Sequence, residues 1–243
     1  MKKFFNLFFL LFICFAYAIS SDKSASVMNQ AIQEEQQKAE NQLVIVIDPG
    51  HGGRDPGKVG VHNILEKDVN LSISLKLKNL LEQNDIKVIM TRDTDTGLYN
   101  EGDSYKKRAD MAARVQIIKE SKADLAVSIH QNSFTEEYVK GAQVFYYDKS
   151  SQGRQLAEML QKQIVETIAD GNHRKAKPND TYYMLKNTEC PLAIVECGYL
   201  TNFREAGLLT DDSYQERMAY AIHLALIQFI NDGGLKREEK KSS

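Results

Sequence analysis

Residues 48–60 read DPGHGGRDPGKVG, and they follow the apolar run LVIVI at 43–47. An apolar run without polar interruption suits a strand buried on both faces, as in a parallel sheet. The loop after it holds Gly52-x-x-x-x-Gly57-Lys58, most of a phosphate-binding signature, and it also holds His51. A phosphate cradle requires Ser or Thr after the Lys and a helix beginning there. Here Val59 and Gly60 follow Lys58, and Pro56 removes an N–H from a loop that would need to present N–H groups. Nucleotide binding is set aside on these grounds. Gly50, Gly52 and Gly53 instead allow a sharp turn and a close approach of backbone to ligand. Two readings remain for His51: a surface residue at a loop apex, and an imidazole that the loop aims at a metal.

Outward from this loop the chain alternates. A helical stripe of Leu65, Val69, Ile73, Leu77, Leu80 and Leu81 spans residues 64–83. Strands are expected at Ile86–Met90, Leu125–Ile129 and Ala142–Tyr147, with short ones at Tyr182–Leu185 and Leu192–Val195. Helices are expected at 105–120, with Met111, Val115 and Ile118 on one face, at 152–169, and at about 213–231 with Met218, Ile222, Ala225 and Phe229 in register. Strands alternating with helices predict a single α/β domain over 43–231, a mostly parallel sheet of about six strands with helices on both faces.

In such a sheet ligands gather at the carboxyl ends of the strands. His51 follows the first strand, His130 directly follows Leu125–Ile129, and Glu196 directly follows Leu192–Val195. Glu66, near the start of the first helix, faces the same edge. Two imidazoles and a carboxylate suit Zn²⁺ with a position open to water, and zinc lowers the pKa of such water to about 7. A second carboxylate can take that proton and pass it to a leaving amine. His51, Glu66 and His130 are then ligands, and Glu196 the acid/base. Plainer readings stand beside this one. Glu66 also fits a capping box with Asn63 as N-cap, and Glu196 can pair with an Arg. His62 is a reserve ligand, while His173 and His223 lie off the pattern.

The bulk numbers agree with an ordinary folded protein. The chain has 243 residues, 42% apolar and 26% charged, with a net charge of −2. Nothing in that charge supplies the basic field that nucleic-acid binding needs. The N-terminus MKKFFNLFFLLFICFAYAIS has a positive start, an apolar run and Ala16-Tyr17-Ala18, which predict a secretory signal peptide over 1–18. It is either cleaved or retained as an anchor. Residues 19–42 read as a polar linker and 232–243 as a charged tail, neither packed on the core. Cys14 belongs to the signal. Cys190 and Cys197 flank a strand, so an extended chain sets them about 23 Å apart, beyond the roughly 7 Å a disulfide spans. Both are expected as free thiols.

IVIDPGHGGRDPG at 45–57, Glu66 before its helix, TRDTDT at 91–96, ADLAVSIHQNS at 123–133 and PLAIVECGYLTNFRE at 191–205 together resemble the N-acetylmuramoyl-L-alanine amidases of the zinc-dependent amidase-3 family. The resemblance implies zinc ligands at His51, Glu66 and His130, a catalytic Glu196, and cleavage of the amide joining muramic acid to L-alanine in peptidoglycan. Within the family the chain is most similar to single-domain members that prepare spore cortex for germination. Those members form muramic-δ-lactam together with a separate deacetylase. Two departures stand out. The family's Arg-x-x-x-Ala-Asn is here Arg108 followed by Ala112 and Ala113, and only Gln131–Lys140 separates His130 from Gly141. That leaves no room for the inhibitory helix of some relatives, so an open site regulated by a spore-envelope partner or by metal supply is expected. The alternatives are a non-catalytic peptidoglycan-binding protein and a zinc carboxypeptidase of the stem peptide, the latter wanting an Arg such as Arg54, Arg92 or Arg108 to hold a free carboxylate.

Overall fold

The computed structural model describes residues 42–235, and in addition residues 28–30, 32, 33 and 37, which are helical and exposed. The expected signal peptide and most of the expected linker lie outside the described residues. Among the described residues no helix is long and apolar enough to cross a membrane.

The compact unit begins at Leu43. Its strands are β1 (Val44–Pro49), β2 (Lys87–Met90), β3 (Leu125–Asn132), β4 (Gln143–Tyr147), β5 (Lys177–Asn179) and β6 (Leu192–Tyr199). Its helices are α1 (Glu66–Glu82), α2 (Lys106–Glu120), α3 (Ser151–Ile168), α4 (Tyr183–Asn187), α5 (Phe203–Leu209) and α6 (Asp212–Asn231). A 3-10 turn at Val61–Asn63 precedes α1. The strands form one six-stranded sheet in the order β2-β1-β3-β6-β4-β5. β2, β1, β3 and β6 run parallel, and β4 meets β6 antiparallel.

Side chains alternate between faces along a strand, and that period sorts the core. Ile45, Ile47, Val127, Ile129, Val195 and Cys197 face α1, α3 and α6, with Ile73, Leu77, Leu160, Ile222 and Phe229 packed on them. Val46, Ala126, Phe145 and Ile194 face the other way, onto Ile118 of α2 and Met184 and Leu185 of α4. Two residues beyond Val46 lies Asp48, and two beyond Ile194 lies Glu196. Ser128 and His130 continue the row begun by Ala126. The polar residues of the strand ends therefore share the face covered by α2 and α4.

Several elements differ from expectation. Tyr182–Leu185 is not a strand. Asn179 Oδ1 accepts from the N–H groups of Thr181 and Tyr182 at 2.8 Å each, and this side-chain turn starts α4. A four-residue apolar run carries no period that separates strand from helix. Strand β5 and helix α5 have no counterpart among the expected elements. Asn202 caps α5, accepting from Glu205 N–H at 2.9 Å. The capping box at Asn63 does not form: the N-cap of α1 is Leu65, without a side-chain cap bond. The start of the expected tail packs, since Gly234 is buried and Leu235 rests on the core, while residues 236–243 lie outside the described residues. Cys190 and Cys197 are free, as expected, and burial pushes the Cys190 thiol up to about 12.

Candidate metal centre

The site is built from the backbone of the 48–57 loop. Asp48 closes β1 as a buried carboxylate that accepts from Thr91 Oγ1 and Ser128 Oγ at 2.6 Å each and from Arg114 at 2.7 Å. Burial opposes its charge, but Arg114, Ser128 and Thr91 outweigh burial and lower its pKa to about 2. Arg114 also donates to the carbonyls of Pro49 at 2.8 Å and His51 at 2.6 Å. Arg92 donates to Pro49 and Gly50 carbonyls at 3.0 Å each and to Lys67 at 2.8 Å. Two buried guanidiniums thus clamp the loop from beneath. Neither was singled out for this part in the sequence. Arg92 lies in the TRDTDT stretch, and Arg114 sits one turn of α2 beyond Asp110, to which it donates at 2.6 Å.

The clamped loop holds His51 at φ +62°, the left-handed region. Asp55, on the next turn, lies 2.9 Å from His51 Nδ1. With the proton on Nδ1 and Asp55 accepting it, the Nε2 lone pair faces inward. Glu66 Oε1 lies 3.2 Å from His51 Nε2 and 2.9 Å from His130 Nδ1. The two rings stand nearly edge to face, with centroids 5.0 Å apart at 78°. One ligand atom from each of His51, Glu66 and His130 falls within 4.8 Å of the others. Backbone N–H groups of Gln131 and Lys58 fix the two Glu66 oxygens at 3.1 and 2.8 Å. Burial opposes the Glu66 charge, but the bonds from His130 and His51 hold its carboxyl well below the usual range. The His51 imidazole is raised, since Glu66 and Asp55 outweigh its burial.

Glycine makes the space. A Cβ at Gly50 would overlap the His130 ring, and one at Gly57 would sit 2.6 Å from Glu66 Oε2 and 2.7 Å from His51 Cδ2. Glu196 lies beside this cluster as the β6 register partner of His130. It is 9% exposed, and its Oε2 is buried without a hydrogen-bond partner. Burial raises its pKa to about 7. The cleft around the group is bounded by Lys107 and Met111 of α2 on one side and by Tyr182 and Tyr183 on the other. Two nitrogens, a shared carboxylate and an orphaned carboxylate oxygen suit a divalent cation with a proton-transfer group at its edge.

The remaining candidates do not join the cluster. His62 meets Phe203 edge-on, with centroids 4.8 Å apart. His173 lines a separate hollow with Asn172 and Arg174, and His223 is buried in α6. Among the described residues no arginine stands ready for a substrate carboxylate in the cleft: Arg114 lines it but is committed to Asp48 and Asp110. Arg54 pairs with Glu101 at the surface, Arg92 is committed to backbone carbonyls, and exposed Arg108 does not line the cleft.

The profile of the Amidase_3 family, N-acetylmuramoyl-L-alanine amidase, matches residues 45–228. The germination-specific N-acetylmuramoyl-L-alanine amidase of Bacillus subtilis is 37% identical over 194 residues, covering 79% of this chain and 81% of that protein. The CwlD amidase of Clostridioides difficile, solved in complex with the GerS lipoprotein, is 37% identical with a TM-score of 0.77, over 79% of this chain and 100% of that one. The amidase AmiC2 of Nostoc punctiforme is 34% identical with a TM-score of 0.69, over 78% and 97%. Sequence and fold agree: the chain belongs to the Amidase_3 family of N-acetylmuramoyl-L-alanine amidases, hydrolases of peptidoglycan.

Proposed function

We propose that His51, Glu66 and His130 hold a zinc ion and that Glu196 is the acid/base of the amidase reaction, in a catalytic domain spanning 43–231. The observation that carries this reading is the single oxygen Glu66 Oε1, within 3.2 Å of a nitrogen on each imidazole, with the unpartnered Glu196 Oε2 at the next strand. Bound zinc supplies Lewis acidity toward the amide carbonyl and the attacking water. The chain supplies the rest. Asp55 orients His51. Glu196 takes the proton of the attacking water as its oxygen bonds to the lactyl carbonyl carbon, then gives it to the L-alanine nitrogen as the C–N bond breaks. Burial of Glu196 favours its uptake of that proton.

The substrate is peptidoglycan, and we propose spore cortex as its site of action. There the peptide-free muramic acid left by this enzyme is the substrate a deacetylase needs for muramic-δ-lactam. Residues 1–18 would export the chain as a signal peptide, cleaved or kept as an anchor, and 19–42 would tether the domain. Between β3 and β4 the loop contains no helix. Regulation then falls to a partner in the spore envelope, as a lipoprotein accompanies the related CwlD amidase.

The test is digestion of purified cortex by zinc-loaded protein. Mass analysis should show intact stem peptides with free L-alanine amino termini. Removal of the metal should stop the reaction and zinc should restore it. Release of terminal stem residues instead would overturn the assignment.

A further inference from the structure

A second groove opens on the same edge of the sheet, lined by Glu136, Glu137, Tyr138, Asn202, Phe203 and Arg204. Two aromatic side chains along it face solvent, Tyr138 at 79% exposed and Phe203 at 67%, and Phe134, 53% exposed, lies on the adjoining loop. Large apolar groups clustered at the surface mark a binding site more often than chance. Their loops are tied down. Phe134 N–H donates to Thr201 Oγ1 at 3.0 Å, and Asn202 Nδ2 donates to the Glu137 carbonyl at 2.7 Å. The His62 ring braces Phe203 from one side. The loops that carry the groove are bonded to those that border the metal cleft. Ser133 lines that cleft and Phe134 is the next residue, while Leu200 N–H donates to the Asn132 carbonyl at 2.9 Å and joins the two loops.

We propose that this aromatic edge is a saccharide platform that seats the glycan strand beside the muramic acid undergoing cleavage. The proposal rests on the peptidoglycan reading above. A pyranose ring offers a face of C–H groups that stacks on an aromatic ring, and a rim of hydroxyls that needs both acceptors and donors. Tyr138 and Phe203 supply faces, Glu136 and Glu137 supply acceptors, and Arg204 supplies donors. Tyr, Phe and Arg are also enriched in protein interfaces, whose cores are depleted of Glu; the two glutamates flanking the aromatic pair are what favours a hydroxyl-rich ligand here. Preformed loops lower the ordering cost of binding.

The test compares wild type with the double variant Tyr138→Ala, Phe203→Ala on two substrates: long glycan strands bearing stem peptides, and a muramoyl peptide carrying one sugar. The double variant should lose about tenfold or more in kcat/KM on strands relative to its change on the one-sugar substrate. Calorimetry with peptide-free glycan oligomers should show binding to wild type and none to the variant. The binding measurement needs no turnover, so it decides the platform even if the amidase assignment fails. Should the double variant not fold, Phe203→Leu keeps apolar bulk without the ring and should show the same selective loss. Equal effects on both substrates, or unchanged glycan binding with the edge serving a protein instead, would overturn the platform.

Discussion

His130 and Glu196 are direct register partners in the parallel β3–β6 ladder, so their side chains leave the sheet on the same face. A ligand candidate and a proton-transfer candidate are thereby fixed one strand apart, with no loop between them. Position on a paired strand is more precise than position on a loop.

That precision gives Glu196→Gln a clear expectation. The amide is nearly the same size but cannot accept a proton. Turnover should fall by about 10²–10⁴, while zinc content measured by atomic emission stays near wild type. A variant that loses metal with activity would show Glu196 to be a ligand instead.

Gly57 is a sensitive point of the loop. Its φ of +66° disfavours any side chain, and a Cβ would press on both Glu66 and His51. Gly57→Ala should weaken zinc binding by about 10–100-fold, the range typical of disturbing groups that orient ligands. Competition with a chelating dye measures this. Unaltered affinity would show that the loop yields at no cost.

Arg114 answers a stability question. It is 2% exposed and pairs with Asp48 at 1%. Arg114→Met leaves the Asp48 charge buried and uncompensated, which costs about 3–5 kcal/mol. At roughly 2–4 °C per kcal/mol for a domain of this size, melting should drop by about 6–20 °C. The pair also sets an acid limit. The folded pKa of Asp48 is depressed from 3.8 to about 2. Its contribution is therefore complete above the ordinary value and is lost as pH falls toward about 2. Acid titration of wild type against Asp48→Asn isolates it.

Glu196 has the opposite sign. Its folded pKa is raised from 4.5 to about 7 by burial, so the metal-free protein binds a proton there that the unfolded chain releases. That contribution is full below the ordinary value and fades as pH rises through about 7. Denaturant unfolding of the metal-free protein should show wild type losing a few kcal/mol relative to Glu196→Gln between about pH 4.5 and 7, at about 1.4 kcal/mol for each pH step across that window. Parallel curves for the two proteins would remove the buried-carboxylate account.

Much of this was legible in the residues. LVIVI, largely β-branched and bounded by Pro49 and Gly50, suited a strand buried on both faces, and the failure of Lys58-Val59-Gly60 as a phosphate loop left His51 as the point of the glycine turn. The alternation of periods two and 3.6 carried the α/β fold, because those periods are local properties of the chain. Tyr182–Leu185 was not legible because four apolar residues hold no period, and the Asn179 turn that starts its helix is a side-chain bond. The Asn63 cap failed because tertiary bonds from Lys58 and Gln131 engage the Glu66 carboxylate instead.

What the sequence determined by itself was which residues end the strands and which chemistry they carry. What only the tertiary structure decided was their meeting: Glu66 between two imidazoles, Asp55 behind His51, and Arg92 and Arg114 beneath the loop. Those contacts join residues as far as 66 positions apart. Register, burial and charge compensation set them, and none of these is a property of any short stretch of chain.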